Sequence, residues 1–145
     1  MSTSTRMIAA RAYERALFAG DMDAVACHLT EDVVYWVAGV PPLGGEWRGR
    51  EAVLRAFVDR EFGLGPGFES TDVWREWYEA DERVIVEIHE RSWLPSAPED
   101  VMDQRTCAVL RFRGDRICEM RDYTDSHVYE EFRRRHPELA KFRGG

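Results

Sequence analysis

Cysteine and long apolar runs are scarce in this sequence of 145 residues. The three cysteines, Cys27, Cys107 and Cys118, are odd in number and widely spaced, which favours neither a disulfide framework nor a zinc site. Such a pattern is typical of reduced, buried thiols. No segment approaches the roughly 18 consecutive apolar residues of a membrane-spanning helix, and the N-terminus lacks a signal-peptide pattern. We therefore expect a cytoplasmic protein with no membrane partner.

Basic residues are also in deficit, since 20 Lys and Arg stand against 27 Asp and Glu, for a formal charge of −7. Binding to a phosphate backbone needs a surplus of Lys and Arg on one face. The one basic cluster, Arg133–Arg135, lies near the end of a predicted helix, where cations stabilise the helix dipole. The sequence therefore predicts no nucleic-acid partner.

The length and composition are those of one ordinary globular domain. A chain of 145 residues is close to the commonest domain size, and 44% hydrophobic with 32% charged residues argues against disorder. We find no internal repeat, low-complexity tract or long linker. The whole chain, residues 1–145, is predicted to form a single domain.

Helix-type periodicity comes first along the chain and strand-type periodicity follows. Helices are predicted from Thr5 to Ala19, with Ile8, Ala12 and Ala16 on the apolar side, from a cap at Asp21 to His28, and from Arg50 to the glycines Gly63 and Gly65. Alternation and β-branched residues predict the strands, and Ser126 is predicted to cap a last helix before His136. The predicted strands are Asp32–Val37, Phe68–Tyr78, Arg83–Trp93, Asp103–Arg113 and Arg116–Tyr123.

This order, helices and then a meander of antiparallel strands closed by a helix, indicates the α+β class with helices gathered on one face of the sheet. Such a packing leaves room for a cavity between the layers. The glycine-rich segments Gly39–Gly45 and Gly63–Gly67 are predicted loops at the mouth of that cavity. They lack a phosphate-binding spacing.

Strand alternation selects candidate catalytic residues. Asp122 shares a face with Cys118 and Met120, and Glu90 shares one with apolar side chains of its own strand. Tyr35 likewise points where valines point. A carboxylate in apolar surroundings is costly unless paired, and burial raises its pKa towards the range of a general acid or base. The alternatives are an Asp122 satisfied at a sheet edge and a Glu90 that reaches solvent.

The same alternation predicts a largely apolar wall that would bind substrate. The five tryptophans are interpreted first as core and interface residues, and Trp47 and Trp93 second as flat walls for a ligand. The outward Val34, Trp36, Ile85, Val109 and Ile117 predict an apolar sheet surface that something should cover. The predicted substrate-binding residues are Trp47, Phe57, Val86, Ile88, Leu110 and Met120.

Several segments together resemble a known superfamily. They are Gly20–Ala24, Leu29–Tyr35 and Trp47–Val53 in the first half, with Phe112–Glu119 and Arg121–Asp125 in the second. The pattern resembles nuclear transport factor 2-like proteins, and within them the SnoaL-like and ketosteroid-isomerase-like branch. The resemblance implies a cone-shaped domain with a strongly curved, mostly antiparallel sheet wrapped around N-terminal helices, a deep apolar pocket and dimers. The predicted partner is a second copy of the chain in a homodimer, and no cofactor is predicted.

In polyketide cyclases of this branch an aspartate on the last strand is the acid–base, and Asp122 stands at the matching position. The chain also resembles limonene epoxide hydrolase, where an Asp–Arg–Asp set with a tyrosine and an asparagine activates water. Asp122, Glu90 and Tyr35 match three of these five. Ile88 replaces the arginine and Val37 the asparagine, so the resemblance leaves that arrangement incomplete.

Related dehydratases use a histidine beside an aspartate. His89 is the one strand histidine, and alternation sends it outward unless a bulge intervenes. No set of side chains has a recognised metal-ligand spacing, so no metal site is predicted.

The leading hypothesis is a cyclase or isomerase that uses cofactor-independent acid–base catalysis on a hydrophobic, carbonyl-bearing molecule. Asp122 would move the proton, Tyr35 would donate to the developing oxyanion, and Glu90 would assist. An epoxide hydrolase and a non-catalytic binding or dimerisation domain are the alternatives.

Overall fold

Helices and strands follow the predicted order. The computed structural model describes residues 3–41, 43–60 and 68–138. Within them lie the helices α1 (Thr5–Phe18), α2 (Met22–Cys27), α3 (Arg50–Arg60) and α4 (Ser126–Arg135). The strands are β1 (Leu29–Val37), β2 (Gly45–Arg48), β3 (Glu69–Ala80), β4 (Arg83–Leu94), β5 (Ala97–Arg113) and β6 (Arg116–Thr124).

The strands form one curved, unclosed sheet in the order β2-β1-β6-β5-β4-β3. All neighbours are antiparallel except β1 and β6, the second and third strands in this order, which run parallel. Because β1 precedes the meander and β6 ends it, the parallel pairing joins the two halves of the chain. The predicted α+β class is confirmed, with the cone-like arrangement of sheet and N-terminal helices.

The core lies on the inner face of the sheet. Helices α1, α2 and α3 contribute Ala10, Tyr13, Val25, Val53 and Phe57 to one buried cluster with the strands. Helix α4 closes a second cluster at the other end, formed by Val37, Leu43, Leu94, Met102, Tyr129 and Phe132. A sheet with polar residues outside and apolar residues inside buries one face in this way.

Three strands depart from the prediction. Strand β1 begins at Leu29 rather than Asp32. Strand β2 was not predicted, and Gly45 was assigned to a loop, but β2 pairs with β1 through a register that sets Trp47 against Tyr35. Strand β5 begins at Ala97, ahead of the predicted start at Asp103, because a tight turn at Pro95 and Ser96 lets it pair with β4. Glycine and proline near β2 and near the start of β5 predict loops, whereas pairing with a neighbouring strand makes both segments extended.

Two predicted faces were wrong. On α1, Ile8 is 56% exposed while Ala10 and Tyr13 are buried, so the apolar side is rotated from the predicted one. On β6, Ile117 was predicted to face outward but is fully buried in the core. The register shift between β5 and β6 makes Cys118 an extra, bulged residue, which turns Ile117 inward.

Smaller corrections concern caps and thiols. Asp125 rather than Ser126 caps α4, since its carboxylate accepts a hydrogen bond from the Val128 amide at 3.3 Å. Cys27 is exposed, against the expected burial, while Cys118 is buried. The predicted helix end at Gly63 and Gly65 and the loop Gly63–Gly67 lie outside the described residues. None of the described helices combines the length and the apolar character that crossing a bilayer takes.

Candidate functional site

Asp122 and Tyr35 are brought together by the parallel pairing of β1 and β6. Asp122 is the register partner of Val37, and Tyr35 is that of Met120, so both polar side chains lie on the inner face one step apart. The Tyr35 hydroxyl donates a hydrogen bond to Asp122 Oδ2 at 2.7 Å. A charge-assisted bond of this length fixes the orientation of the carboxylate.

These two residues line a cavity of about 160 Å³ between α1, α3 and the sheet. Of the predicted site residues, the cavity wall contains Tyr35, Phe57, Val86, Ile88, Leu110, Met120 and Asp122. Trp47 and Glu90 are not in the wall. The remaining wall residues are Tyr13, Glu14, Leu17, Phe18, Thr106 and Ala108.

Trp47 and Phe57 hold Tyr35 in place from two sides. The Trp47 ring stacks on Tyr35 with centroids 5.6 Å apart, and Phe57 meets Tyr35 edge-on at 5.1 Å. Aromatic packing of this kind restricts the phenol to one rotamer. Trp93, the second tryptophan proposed as a wall, instead donates from Nε1 to Glu69 at 3.0 Å.

Tyr13 is a cavity residue that the sequence reading missed. Its hydroxyl donates to Met120 Sδ at 3.2 Å, and a thioether is a weak acceptor. Burial first, then the charges of Asp122 and Glu14, raise the pKa of Tyr13 well above its ordinary value. The phenol is therefore a neutral donor whose hydrogen bond is easily exchanged for a better one. The sequence does contain a signal for Tyr13. It lies three residues after Ala10, so the two side chains share one face of α1.

An arginine lies beside the cavity although Ile88 occupies the position where the epoxide hydrolases carry theirs. Arg75 of β3 is the register partner of Ile88, and its Nη1 bonds Glu14 Oε2 at 2.6 Å. A bulge at Val73 puts Asp72 on the same face, where it accepts from Arg75 Nε at 2.7 Å. The guanidinium also lies 5.6 Å from the Phe18 ring centroid.

Glu14 therefore sits between the cavity and this arginine. Burial raises the pKa of Glu14, and the nearby Arg75 charge opposes that rise. Side chains of the pair are only 20% and 17% exposed. A partly buried carboxylate that is ion-paired to one guanidinium keeps some acid character in the wall of the cavity.

Glu90 joins this charged group rather than the cavity wall. It is the register partner of Asp72 on β3 and of Gln104 on β5. Burial and the Asp72 charge raise the pKa of Glu90, while Arg75 lowers it. The alternative that Glu90 reaches solvent does not fit this environment. Glu90 therefore acts on the site through the charges of Asp72 and Arg75.

His89 faces away from the cavity, as alternation predicted. Its Nε2 lies 2.6 Å from Asp103 Oδ1 on the outer face, and Trp74 covers it edge-on at 6.3 Å between ring centroids. The bulge of β3 lies opposite and leaves the alternation of β4 intact. Across residues 3–41, 43–60 and 68–138, no three His, Cys, Asp or Glu side chains converge as metal ligands would.

Comparison with known proteins places the chain in a family. The SnoaL-like domain model matches residues 9–120. A structure of an NTF2-like protein from Burkholderia xenovorans has 20% identity and a TM-score of 0.75, covering 90% of this chain and 97% of its own. No curated protein matches significantly.

Two further structures share the fold at similar distance. An M. tuberculosis LEH-like epoxide hydrolase has 22% identity, a TM-score of 0.66 and 92% coverage of both chains. A protein of ketosteroid-isomerase-like fold from Catenulispora acidiphila, in complex with trimethylamine, has 20% identity and a TM-score of 0.60, covering 79% of this chain and 83% of its own. Since the family match spans most of the sequence, the protein belongs to the SnoaL-like family of NTF2-like folds.

Proposed function

We propose that the protein is a cofactor-independent cyclase or isomerase that transfers a proton on a small carbonyl compound. The observation that carries the proposal is Asp122, a carboxylate in the wall of a mostly apolar cavity and held by the Tyr35 hydroxyl at 2.7 Å. A fixed carboxylate next to a bound apolar molecule is well suited to remove a proton from carbon.

Asp122 would remove a proton from the carbon next to the carbonyl and return it elsewhere on the molecule. The negative charge then develops on the carbonyl oxygen and needs a hydrogen-bond donor. Tyr35 already donates to Asp122, whereas Tyr13 donates only to the Met120 sulfur. We therefore assign the oxyanion to Tyr13 and the orientation of Asp122 to Tyr35, which revises the role expected for Tyr35.

Exchange of carbon-bound protons with solvent deuterium tests this assignment without a known substrate. Small cyclic ketones and their β,γ-unsaturated analogues are incubated with the protein in D₂O and followed by proton NMR. Asp122→Asn should abolish the exchange while leaving the circular dichroism spectrum and thermal midpoint close to wild type. Asp103→Asn, which removes a carboxylate on the outer face, is the matched control and should exchange normally.

Full exchange by Asp122→Asn would contradict the proposal. Absence of exchange in wild type with every ketone, together with saturable binding of the same ketones, would favour the non-catalytic binding alternative. The two results are distinguished by titrating each ketone against the protein's amide resonances.

Epoxide opening by water is a second candidate because Arg75 lies beside Ile88 and so restores an arginine near the expected position. Its partners, however, are Glu14 and Asp72 rather than Asp122. Incubation of small epoxides in water enriched in ¹⁸O should give labelled diol if this chemistry operates. Unchanged epoxide would rule against it.

We further propose that a second copy of the chain covers the outer face of β1 and β6. Val34, Trp36 and Tyr123 form an apolar centre there, with the Trp36 and Tyr123 rings 5.1 Å apart. Glu46, Glu119, Arg48 and Arg121 lie around it, and a patch that carries both signs of charge can pair with its own copy across a two-fold axis.

A further inference from the structure

We infer that the ligand of the Asp122 cavity carries a positive charge, as a small alkylammonium group. The inference deepens the proposed function and rests on its site, because it names the substrate class that this cavity would accept. It follows from three properties of the described wall: its aromatic rings, its carboxylates and its size.

Aromatic rings make up four of the thirteen wall residues, namely Tyr13, Phe18, Tyr35 and Phe57. Tyr35 and Phe57 meet edge-on at 5.1 Å, so their planes form two sides of a corner rather than one flat stack. Rings inclined in this way suit a compact cation, which is attracted to the face of any ring that it can reach. A flat polycyclic ligand would need parallel walls instead.

Carboxylates supply the polar part of the wall. Asp122 and Glu14 both line the cavity, and both are close enough to Tyr13 for their charges to act on its hydroxyl. Among the described wall residues there is no Lys, Arg or His. The cavity therefore presents hydrogen-bond acceptors and negative charge to whatever enters it.

The positive charge of Arg75, which lies next to the wall, does not make the site positive. Arg75 is bonded to Glu14 at 2.6 Å and to Asp72 at 2.7 Å, and Glu90 is a third carboxylate near it. The charge of Arg11 also acts on Glu14, so two arginines face the four carboxylates Glu14, Asp72, Glu90 and Asp122, and the described part of the group stays net negative. An anionic ligand would be repelled, and a cationic one would relieve the excess.

Size limits the cation to a small one. The cavity of about 160 Å³ is comparable to engineered apolar cavities of about 150 Å³ that take up benzene. A trimethylammonium or small cyclic ammonium head fits this volume. An ammonium next to a ketone also makes the neighbouring C–H more acidic, which suits removal of that proton by Asp122.

Three probes of one shape and different charge test the inference. Choline, 3,3-dimethylbutan-1-ol and 3,3-dimethylbutanoate share a branched head and carry a charge of plus one, zero and minus one. Each is titrated by isothermal calorimetry and by amide NMR. We expect choline to bind about tenfold more tightly than the alcohol, because rings and carboxylates together attract its charge by about that factor. We expect 3,3-dimethylbutanoate not to bind.

Variants locate the binding. Glu14→Gln and Asp122→Asn should each weaken choline binding several-fold and leave the alcohol unchanged. Glu87→Gln, which removes a carboxylate from the outer face of the same sheet, is the matched control and should change neither. Circular dichroism and thermal melts establish that each variant is folded.

An alcohol that binds as tightly as choline would overturn the inference. A choline preference that survives both cavity variants would overturn it too, because the cation would then bind elsewhere. These readouts measure affinity alone, so they can fail while Asp122-dependent exchange of ketones succeeds, or succeed while that exchange fails.

Discussion

At the scale of single residues, the hydrogen bond from Tyr35 to Asp122 is the contact on which the site depends most directly. Tyr35→Phe removes one hydroxyl and keeps the ring contacts with Trp47 and Phe57. We expect kcat to fall about 10- to 100-fold, since a carboxylate that has lost this hydrogen bond is oriented less firmly and reaches the reactive geometry less often.

The measurement is the steady-state rate of ketone exchange, with kcat and KM separated. KM should change little, because the phenyl ring still fills the wall. Tyr78→Phe, which removes the hydroxyl of an exposed tyrosine on β3 outside the cavity wall, serves as control. An unchanged kcat in Tyr35→Phe would show that Asp122 does not need this partner.

Ser92 is a second residue whose surroundings give a clear expectation. It is fully buried on β4, and its hydroxyl has no hydrogen-bond partner. An unsatisfied buried hydroxyl costs about 1–3 kcal/mol, so Ser92→Ala should raise the free energy of unfolding by roughly 1 kcal/mol. Urea unfolding at neutral pH measures the change.

The register partner of Ser92 supplies the control. Ser70 lies directly across on β3 but is exposed to solvent, so Ser70→Ala should leave the free energy of unfolding nearly unchanged. Loss of stability in Ser92→Ala would mean that an ordered water or a shifted neighbour satisfies the hydroxyl in solution.

At the scale of elements, strand alternation predicted the inner face of β4 and β5 and the inward position of Asp122. It works there because the pleat has a strict period of two and one face is buried. It failed at Ile117, because the bulge at Cys118 depends on how β5 and β6 pair. No local sequence pattern encodes that pairing.

In the site, too, residues on regular strands were predicted and residues beside a bulge were missed. Asp122, Tyr35 and the apolar wall were accessible to alternation, since each lies on a regular stretch. Arg75 was missed because a regular strand would send it to the opposite face from Asp72, and only the bulge at Val73 brings the two together. Tyr13 was missed because Ile8 was assigned to the apolar side of α1. In the structure Ile8 is exposed and Tyr13 is buried.

The contact between β3 and β4 makes stability depend on pH through Glu90. The groups around it are Asp72 and Arg75 on β3 and the neutral Gln104 on β5. Burial first, then Asp72, raise the pKa of Glu90 above its ordinary 4.5, so the folded state holds this proton more tightly than the unfolded chain. The contribution of Glu90 to the free energy of unfolding is full below pH 4.5, the pKa in the unfolded chain, and is lost as the pH rises through the pKa in the folded state.

Glu90→Gln should therefore match wild type at pH 4 and exceed it in free energy of unfolding at pH 7. Urea unfolding at pH 4, 5.5 and 7 gives the difference at each pH. Glu87→Gln on the outer face of the same strand is the control, and its difference from wild type should not grow with pH. A Glu90→Gln variant less stable than wild type at pH 7 would mean that the ionised Glu90 is favourably paired.

At the scale of the whole molecule, the sheet has a covered inner face and an uncovered outer one. The outer groove between β1 and β6 carries Val34, Trp36 and Tyr123 inside a ring of two acidic and two basic side chains. Because β2, β1 and β6 are adjacent, this ring sits directly behind the Asp122 cavity. A second copy on this face would stiffen the two strands that hold Tyr35 and Asp122.

Trp36→Glu tests the dimer by placing a buried charge at the centre of the proposed interface. Wild type should sediment as a dimer at micromolar concentration, and Trp36→Glu as a folded monomer, because an unpaired carboxylate in an apolar contact costs several kcal/mol. Val58→Glu, on the exposed side of α3, adds the same charge elsewhere and should stay dimeric. A wild type that sediments as a monomer, or a Trp36→Glu variant that remains a dimer, would place the interface elsewhere or remove it. If Trp36→Glu also lowers ketone exchange while its circular dichroism is unchanged, the second copy supports the site through the β1–β6 pair.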